Sequence, residues 1–387
     1  MTGDLPNEGS ALPSRASAAL RWIGVFFLIY GLLVAVATIA SGFRMAAGEQ
    51  ARELFAFGVN PVSGLVVGTI AAALIQSSST VTSVIVGLVA GGLPLAVAVP
   101  MVMGANMGTT LTNTVVSLGH VRDGEEFKRA FAAATIHDFF NVLAVLLFFP
   151  LELLFHPLER LSGFEAEALV GLVSSTGEGW NPIRFATEPL VETLRRALAL
   201  FLPVTAAGFV MVAIGVGAIM FVVTAVGRLL KQLLVGRVRT LFHRALGRGP
   251  VSGIASGTLI TVLVQSSSTT TSLVIPLAAT GILTLRQVYP FTLGANIGTC
   301  ITAILAATAI SGPMATVAMQ IALVHFHYNL LSVLVIYAVA PLRHLPVVCA
   351  ERLASLTTSS KWYAAAWVGG AFFLLPGAIL AAGRWLF

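Results

Sequence analysis

Charge and cysteine are scarce in this 387-residue chain. Charged residues make up 10% of it, whereas hydrophobic residues make up 57%. That balance excludes a soluble globular protein and indicates a multi-pass membrane protein. The two cysteines, Cys300 and Cys349, give no indication of a disulfide framework or a metal cluster. The net charge of +6 is spread over the loops between apolar segments, so we do not expect nucleic-acid binding. We also expect no cofactor.

One stretch of the chain occurs twice. Residues 61–83 and 250–272 are identical at 14 of 23 positions, and both run from Pro-Val-Ser-Gly to Gln-Ser-Ser-Ser-Thr. About a dozen apolar residues precede each polar cluster and about a dozen follow it, whereas a helix that crosses a bilayer needs ~20. Two short arms with a polar tip predict a re-entrant helical hairpin. Paired interrupted segments in the two halves of a chain indicate the binding site of a secondary transporter.

Two further motifs are paired between the halves. Gly104-Ala-Asn-Met-Gly-Thr109 matches Gly294-Ala-Asn-Ile-Gly-Thr299, and His137-Asp-Phe-Phe-Asn141 matches His325-Phe-His-Tyr-Asn329. Glycines beside asparagine and threonine predict a local break or a close helix approach. Asp138 lies within an apolar span, where so short a carboxylate cannot reach the interface, and we therefore predict a functional role for it.

The predicted fold is an all-α polytopic membrane protein with two repeats of inverted topology, each with a re-entrant helical hairpin, plus an extra C-terminal span. With a cytoplasmic N-terminus, 15 of the 22 Lys and Arg residues fall on the inner side, as the positive-inside rule favours. Three crossings then separate the two hairpins, which inverts the second repeat. The predicted segments are a disordered N-terminus at 1–18, repeat 1 at 19–155 with its hairpin at 61–91, an external connecting loop at 156–196, repeat 2 at 197–341 with its hairpin at 250–281, and an internal loop with the C-terminal span at 342–387.

The polar tips predict a site for a partly protonated oxyanion such as hydrogen phosphate. Each tip offers hydroxyl and amide groups, and also the free N–H groups at the electropositive start of the outgoing half-helix. No Lys or Arg lies within residues 61–113 or 250–285. Because a divalent anion at membrane depth is costly without a fixed cation, we expect Na⁺ to enter with it as the coupling ion. The predicted phosphate ligands are Gln76, Ser77, Ser78, Ser79, Asn106, Gln265, Ser266, Ser267, Ser268 and Asn296.

These motifs, with Thr112-Asn113-Thr114 and Phe127-Lys-Arg-Ala-Phe131, closely resemble those of the type II sodium-dependent phosphate cotransporters. The resemblance runs from about residue 20 to residue 385. It implies that both hairpin tips bind inorganic phosphate and that Na⁺ drives its uptake. The candidate sodium ligands are Asp138, Asn141, Asp123, His120 at a position where the family has a glutamine, Thr269 and Asn329.

The resemblance also implies a cellular setting. The disulfide-bearing central loop of animal members is absent, so we expect a bacterial member in the inner membrane, in contact with lipid and with a cytoplasmic N-terminus. A homodimer is left open. An enzyme would need a nucleophile with a base in reach, and neither serine cluster lies in Gly-x-Ser-x-Gly. A proton-coupled carrier of another oxyanion or of a small carboxylate stays open as the alternative.

Overall fold

A computed structural model describes residues 15–47, 60–174, 182–245 and 249–386 of the chain. Within these ranges every regular element is helical. Among the described residues, seven helical stretches are long and apolar enough to cross a membrane, and some of them combine two consecutive helices or include a 3₁₀ or π segment. The chain is therefore a multi-pass membrane protein, and the all-α prediction is confirmed.

The first half of the chain begins with a long helix and ends with two amphipathic helices that connect it to the second half. A 3₁₀ turn at Leu118–His120 separates the fifth helix from the sixth. The helices are α1 (Arg15–Ala47), α2 (Pro61–Ile75), α3 (Ser78–Gly91), α4 (Leu95–Thr109), α5 (Leu111–Ser117), α6 (Gly124–Phe155), α7 (Pro157–Ser174) and α8 (Pro182–Ala199).

The second half opens with a long helix that packs along α1. Two π-helical segments, Val333–Tyr337 and Gly370–Leu374, lie between helices in the later part of this half. The helices are α9 (Val204–Ala245), α10 (Pro250–Val264), α11 (Ser267–Ser272), α12 (Val274–Ala279), α13 (Leu285–Ala307), α14 (Ala315–Ser332), α15 (Ala340–Ser359), α16 (Trp362–Gly369) and α17 (Leu375–Leu386).

The helix breaks at the same place in both copies of the duplicated stretch. Gln76 ends α2 with a φ of 57°, and Gln265 ends α10 with a φ of 55°. Non-glycine residues rarely adopt this left-handed conformation, so it stops each helix sharply. The next residues, Ser77 and Ser266, are extended, and each side-chain oxygen accepts the N–H three residues later to start a new helix.

Glycines allow the first helix of each broken pair to touch the span that follows it. A Cβ at Gly68 would lie 2.1 Å from the carbonyl oxygen of Met101, and one at Gly104 would lie 2.0 Å from a carbonyl oxygen of α2. Gly257 and Gly294 make the same approach in the second half, between α10 and α13. The positions of both breaks therefore depend on residues that have no side chain.

The predicted loop at 156–196 is wrong in its secondary structure, since α7 and α8 occupy most of it. The Glu152 carboxylate accepts the N–H groups of Leu158 and Glu159, and so caps the start of α7. Helix α8 carries ion pairs one turn apart, such as Arg184 with Glu188. Charged amphipathic helices of this kind are stabilised by local ion pairs. They contain no long apolar run, so a search for membrane spans in the sequence does not indicate them.

Two further boundaries differ from the prediction. Helix α1 begins at Arg15, inside the segment predicted to be disordered at 1–18, and residues 1–14 lie outside the described residues. The basic segment at 228–248, which the sequence predicts to lie between two membrane segments, instead continues α9 as a helix to Ala245. In both places a helix propagates beyond its apolar part, because extending an existing helix costs far less than starting one.

The two halves are interlocked through their connecting helices. Helix α7 of the first half packs on α14 of the second, where Gln320 donates to the carbonyl oxygen of Glu159 at 2.9 Å. Helix α15 of the second half packs on α6 of the first, with Ala354 in a buried cluster with Phe127 and Phe131. Each half thus packs against one connecting helix of the other half, and the hydrophobic core lies between the two halves.

Candidate functional site: two helix breaks and a buried polar network

The two broken helices meet at their polar tips. The Ser268 hydroxyl donates to the carbonyl oxygen of Gln76 at 3.4 Å, which joins the tip of the second half to that of the first. Helix α3 begins at Ser78 and helix α11 begins at Ser267, so both new N-termini lie at this junction. The structure therefore brings the two Gln-Ser-Ser-Ser clusters together, as the sequence predicts for a two-sided site.

The second tip is also tied to the span that follows it. The amide nitrogen of Gln265 donates to the carbonyl oxygen of Val262 at 2.7 Å, and its amide oxygen accepts from the hydroxyl of Thr302 at 2.9 Å. Thr269 contacts Ser266 through both its backbone N–H and its hydroxyl. Gln265 and Thr269, both predicted ligands, thus help to set the shape of the tip.

A buried network of asparagines crosses between the halves behind the tips. Asn106 Nδ2 donates to Asn329 Oδ1 at 2.7 Å, and Asn296 Nδ2 donates to Asn141 Oδ1 at 2.9 Å. Each asparagine of a Gly-Ala-Asn motif therefore contacts the last residue of the His-to-Asn motif in the opposite half. All four side chains are buried, so these contacts replace the hydrogen bonds that water would otherwise make.

Two buried histidines extend the same crossed pattern. His325 Nε2 lies 3.0 Å from Asn106 Oδ1, and His137 Nε2 lies 2.6 Å from Asn296 Oδ1. In both contacts the imidazole N–H donates to the amide oxygen, given that each amide nitrogen is already a donor to the other half. The two halves thus share one arrangement of amides and imidazoles.

The hydrogen-bond partners of the two histidines differ at Nδ1, the other ring nitrogen. Asn113 Nδ2 lies 3.1 Å from His137 Nδ1, and the Thr271 hydroxyl donates to Asn113 Oδ1 at 2.7 Å. This chain of contacts links α11, just after the second tip, to α5 and α6. In the second half Ala303 occupies the position that matches Asn113, and His325 Nδ1 has no partner among the described residues.

Asp138 is buried on α6, one turn before Asn141. Its Oδ2 accepts from Trp367 Nε1 at 2.8 Å and from the Thr114 hydroxyl at 3.4 Å. Its Oδ1 is buried and has no hydrogen-bond partner among the described residues. An unpaired buried carboxylate oxygen is a fitting ligand for a hard cation, and the residues here suit Na⁺.

The structure does not bring His120 and Asp123 to Asp138. Asp123 precedes Asp138 by 15 residues, which is about 22 Å along a helix at 1.5 Å per residue. One Asp123 oxygen accepts the N–H groups of Glu125 and Glu126 as the N-cap of α6, and His120 contacts Glu126 at 3.2 Å. A second, separate sodium site, which the family resemblance implies at Asp123 and at the position of His120, stays a prediction.

Four residues of the site are absent from the ligands predicted from sequence. Thr114 and Asn113 belong to the polar run at 112–114, so the polarity of that run within an apolar span could have indicated them. Thr271 continues the hydroxyl cluster of the second tip and offered a similar signal. Trp367 lies in the last span and offered none, because tryptophan near a span end is ordinarily an interface residue.

Paired interrupted helices that meet at polar tips, beside a buried carboxylate within candidate spans, define a membrane protein of the secondary-transporter class. Comparison with known proteins specifies the family. The chain belongs to the Na⁺/Pi-cotransporter family, whose model matches residues 32–171 and 218–340. This is a family of transporters and not of enzymes, and it agrees with the resemblance inferred from the motifs.

Mammalian relatives resemble the chain over almost its whole length. It is 32% identical to sodium-dependent phosphate transport protein 2A of Ovis aries, over 91% of this chain and 66% of the relative. Identity is 31% to the 2A protein of Oryctolagus cuniculus, over 97% and 69%, and 30% to the 2B protein of Homo sapiens, over 92% and 64%. The chain thus spans about two thirds of the length of these relatives. No solved structure matches it.

The crossed asparagine pairs predict strong energetic coupling between the halves. Removing one amide leaves its buried partner unpaired, at a cost of about 1–3 kcal/mol. In a double-mutant cycle of Asn106→Ala and Asn329→Ala, we expect the second substitution to cost about 0.5–3 kcal/mol less than it does alone. Unfolding of the purified protein measures this. The pair Asn296 and Asn141 is the matched cycle, and additive losses in both cycles would contradict the cross-half contact.

Proposed function

We propose that this protein is a Na⁺-coupled symporter that takes up inorganic phosphate and binds it between the two helix tips. The observation that carries the proposal is the contact between Ser268 and Gln76, which places two serine clusters and two helix starts at one point. The names of the relatives, sodium-dependent phosphate transport proteins, support the same substrate and the same ion.

The chemistry of the tips suits hydrogen phosphate. Serine and threonine hydroxyls both donate and accept, so they can meet the protonated and the unprotonated oxygens of a partly ionised oxyanion. Free N–H groups at the starts of α3 and α11 add positive potential, and α11 continues into α12 with only Leu273 between them. With no Lys or Arg in either copy of the stretch, the remaining compensation for the negative charge comes from entering cations.

Asp138 is the residue that we assign to the coupling ion. It is buried at 1% exposure, and one of its oxygens has no partner among the described residues. Asn141 lies one helical turn away, but its amide is occupied by Asn106 and Asn296. Asn329 is likewise held by Asn106. We therefore assign the ion to Asp138 first and regard the two asparagines as supports that release an oxygen only if the network opens.

We further propose that the two halves are inverted repeats with re-entrant hairpins, in a bacterial inner membrane with a cytoplasmic N-terminus. Support comes from the bias of basic residues and from the lengths of α2, α3 and α10, which are 14 or 15 residues. A span needs ~20 residues, so each hairpin would return to the side from which it entered. Transport would then proceed by alternating access around the tips.

A proton-coupled carrier is the second candidate, and one observation favours it. His137 and His325 are both buried in the polar network at the centre of the molecule, and histidine is the side chain that most readily exchanges a proton near neutral pH. Each imidazole donates to an asparagine oxygen through Nε2, however, and the anionic Oδ1 of Asp138, which has no partner among the described residues, offers a cation a better ligand. Imposed gradients of Na⁺, Li⁺ or pH separate the two candidates.

The tips can be tested by Ser77→Ala and Ser266→Ala. Each variant loses a hydroxyl that caps a helix start and lines the phosphate site, and a hydrogen bond to a charged group contributes about 1.5–3 kcal/mol. We expect Na⁺-driven uptake of radiolabelled phosphate into proteoliposomes to require at least about tenfold more phosphate for half-saturation. The exposed Ser355→Ala is the control. Normal phosphate affinity in both tip variants would contradict the proposal. Phosphate uptake by the parent protein that a pH gradient drives as well as a Na⁺ gradient would also contradict it.

The charge carried per cycle tests the role of Asp138. The matching position in the second half is Phe326, so a cation at Asp138 has no counterpart. If three Na⁺ accompany divalent phosphate, one net charge crosses, and 100 mV then changes the free energy by about 2.3 kcal/mol. We expect Asp138→Gly to transport phosphate without current and with one Na⁺ fewer. An unchanged current per phosphate in proteoliposomes at an imposed potential would show that Asp138 holds no transported ion.

The orientation can be tested with single cysteines in a background that lacks Cys300 and Cys349. Glu188 on α8 and Thr358 on α15 are both exposed, so either cysteine should react with a thiol reagent. We expect Glu188→Cys to be labelled from outside intact cells by an impermeant reagent, and Thr358→Cys only after the membrane is opened. Labelling of both residues from the same side would end the proposed topology.

A further inference from the structure

One residue of the last span contacts the buried carboxylate of Asp138. Trp367, on α16, donates its indole N–H to Asp138 Oδ2 at 2.8 Å. Its ring lies against the ring of Phe139, with centroids 4.6 Å apart and an angle of 36° between the planes. This span follows the duplicated stretches and is itself not repeated, so the duplication supplies no counterpart of the contact.

The hydrogen bond distinguishes the two oxygens of the Asp138 carboxylate. Oδ2 accepts from both Trp367 and Thr114, whereas Oδ1 makes no hydrogen bond to a described residue. The Thr110 hydroxyl also lies near the carboxylate, but it donates to the carbonyl oxygen of Met107. A carboxylate held through one oxygen cannot rotate freely, and its other oxygen then points in a defined direction. The indole nitrogen carries a hydrogen and has no lone pair to offer, so it cannot coordinate a cation. Its N–H acts on an ion through the carboxylate of Asp138.

The surroundings of Trp367 also reach the first tip. Phe372, in the π-helical segment that follows α16, is buried with Ala73 and Leu111. Ala73 lies on α2, three residues before the break at Gln76, and Leu111 begins α5. Trp367 packs on the edge of the same cluster. One short stretch of the last span thus touches the arm that leads to the first tip, the helix that carries Thr114 and the carboxylate itself.

We propose that Trp367 is a positioning residue for Na⁺ at Asp138: it holds Oδ2 so that Oδ1 faces the ion. The inference rests on the proposed function, because it concerns the ion assigned to Asp138. It goes further in giving the C-terminal span a part in cation binding that neither repeat supplies. The role is specific to the indole N–H, and the aromatic packing against Phe139 is a separate, structural contribution.

The test replaces Trp367 by phenylalanine, which keeps a ring against Phe139 and removes the donor. Na⁺ is titrated against choline, without phosphate, and its binding is read from the rise in unfolding temperature, which follows the ratio of ligand concentration to Kd. We expect Trp367→Phe to bind Na⁺ at least about tenfold more weakly, as for loss of a hydrogen bond to a charged group. Trp362→Phe, which alters an exposed tryptophan on the same helix, should leave the Kd unchanged.

Uptake kinetics separate positioning from a general loss of structure. In Trp367→Phe, the Na⁺ concentration for half-maximal uptake should rise, while the KM for phosphate at saturating Na⁺ stays the same. Phe139→Leu keeps the indole N–H and should retain near-normal Na⁺ affinity. An unchanged Na⁺ Kd in Trp367→Phe would overturn the inference. If the unaltered protein shows no stabilisation by Na⁺ at all, the proposed function fails with it, so the two failures are distinguishable.

A second measurement does not depend on whether Trp367→Phe folds. In a variant whose other tryptophans, at positions 22, 180, 362 and 385, are phenylalanine, Trp367 is the sole indole reporter. We expect Na⁺, and not choline, to shift its emission, because the ion draws charge from the carboxylate to which the indole donates. Asp138→Asn in the same background should abolish the shift. No spectral response at a saturating Na⁺ concentration, defined by the unfolding assay, would overturn the inference.

Discussion

The hydrogen bonds that cross between the halves are the constraint on which the rest of this structure depends. Inside a membrane protein, water cannot replace the missing partner of a buried amide or imidazole, so leaving such a group without a hydrogen bond costs several kcal/mol of stability. Asn106 therefore needs Asn329, and Asn296 needs Asn141, and these pairs fix how α4, α6, α13 and α14 lie beside one another. Once these four helices are in register, the broken helices that pack on α4 and α13 have defined positions too.

Packing then places the tips on that framework. Gly68 and Gly257 let the first arm of each broken pair touch the next span, and the left-handed residues Gln76 and Gln265 end both arms at equivalent points. The Ser268 contact joins the two ends. The junction of hydroxyls and helix starts, where we propose that phosphate binds, is therefore a product of backbone geometry more than of any single side chain. Such a site has little room to rearrange without moving the whole arm.

The duplication gives two similar tips, but the buried carboxylate to which we assign the cation lies in one half. Asp138 has Phe326 as its counterpart, and Asn113 has Ala303. Among the described residues, side-chain hydrogen bonds link the second tip to the central network, through Thr271 and Asn113, and none links the first tip in this way. The carboxylate is held from outside the duplication by Trp367. A symmetric scaffold thus carries an asymmetric set of charges, which is what coupling an anion to a cation requires if the two bind at different places.

The sequence by itself determined the class of protein and the helix breaks at Gln76 and Gln265, and it indicated Asp138 as a candidate. These follow from local patterns: runs too short to span, polar tips that occur twice and one acid in an apolar segment. Only the tertiary structure decided which groups pair. Asn106 and Asn329 are 223 positions apart, and Asp138 and Trp367 are 229 apart. Hydrogen-bond partners at such separations depend on the register of whole helices, which the packing of glycines and the satisfaction of buried polar groups set together.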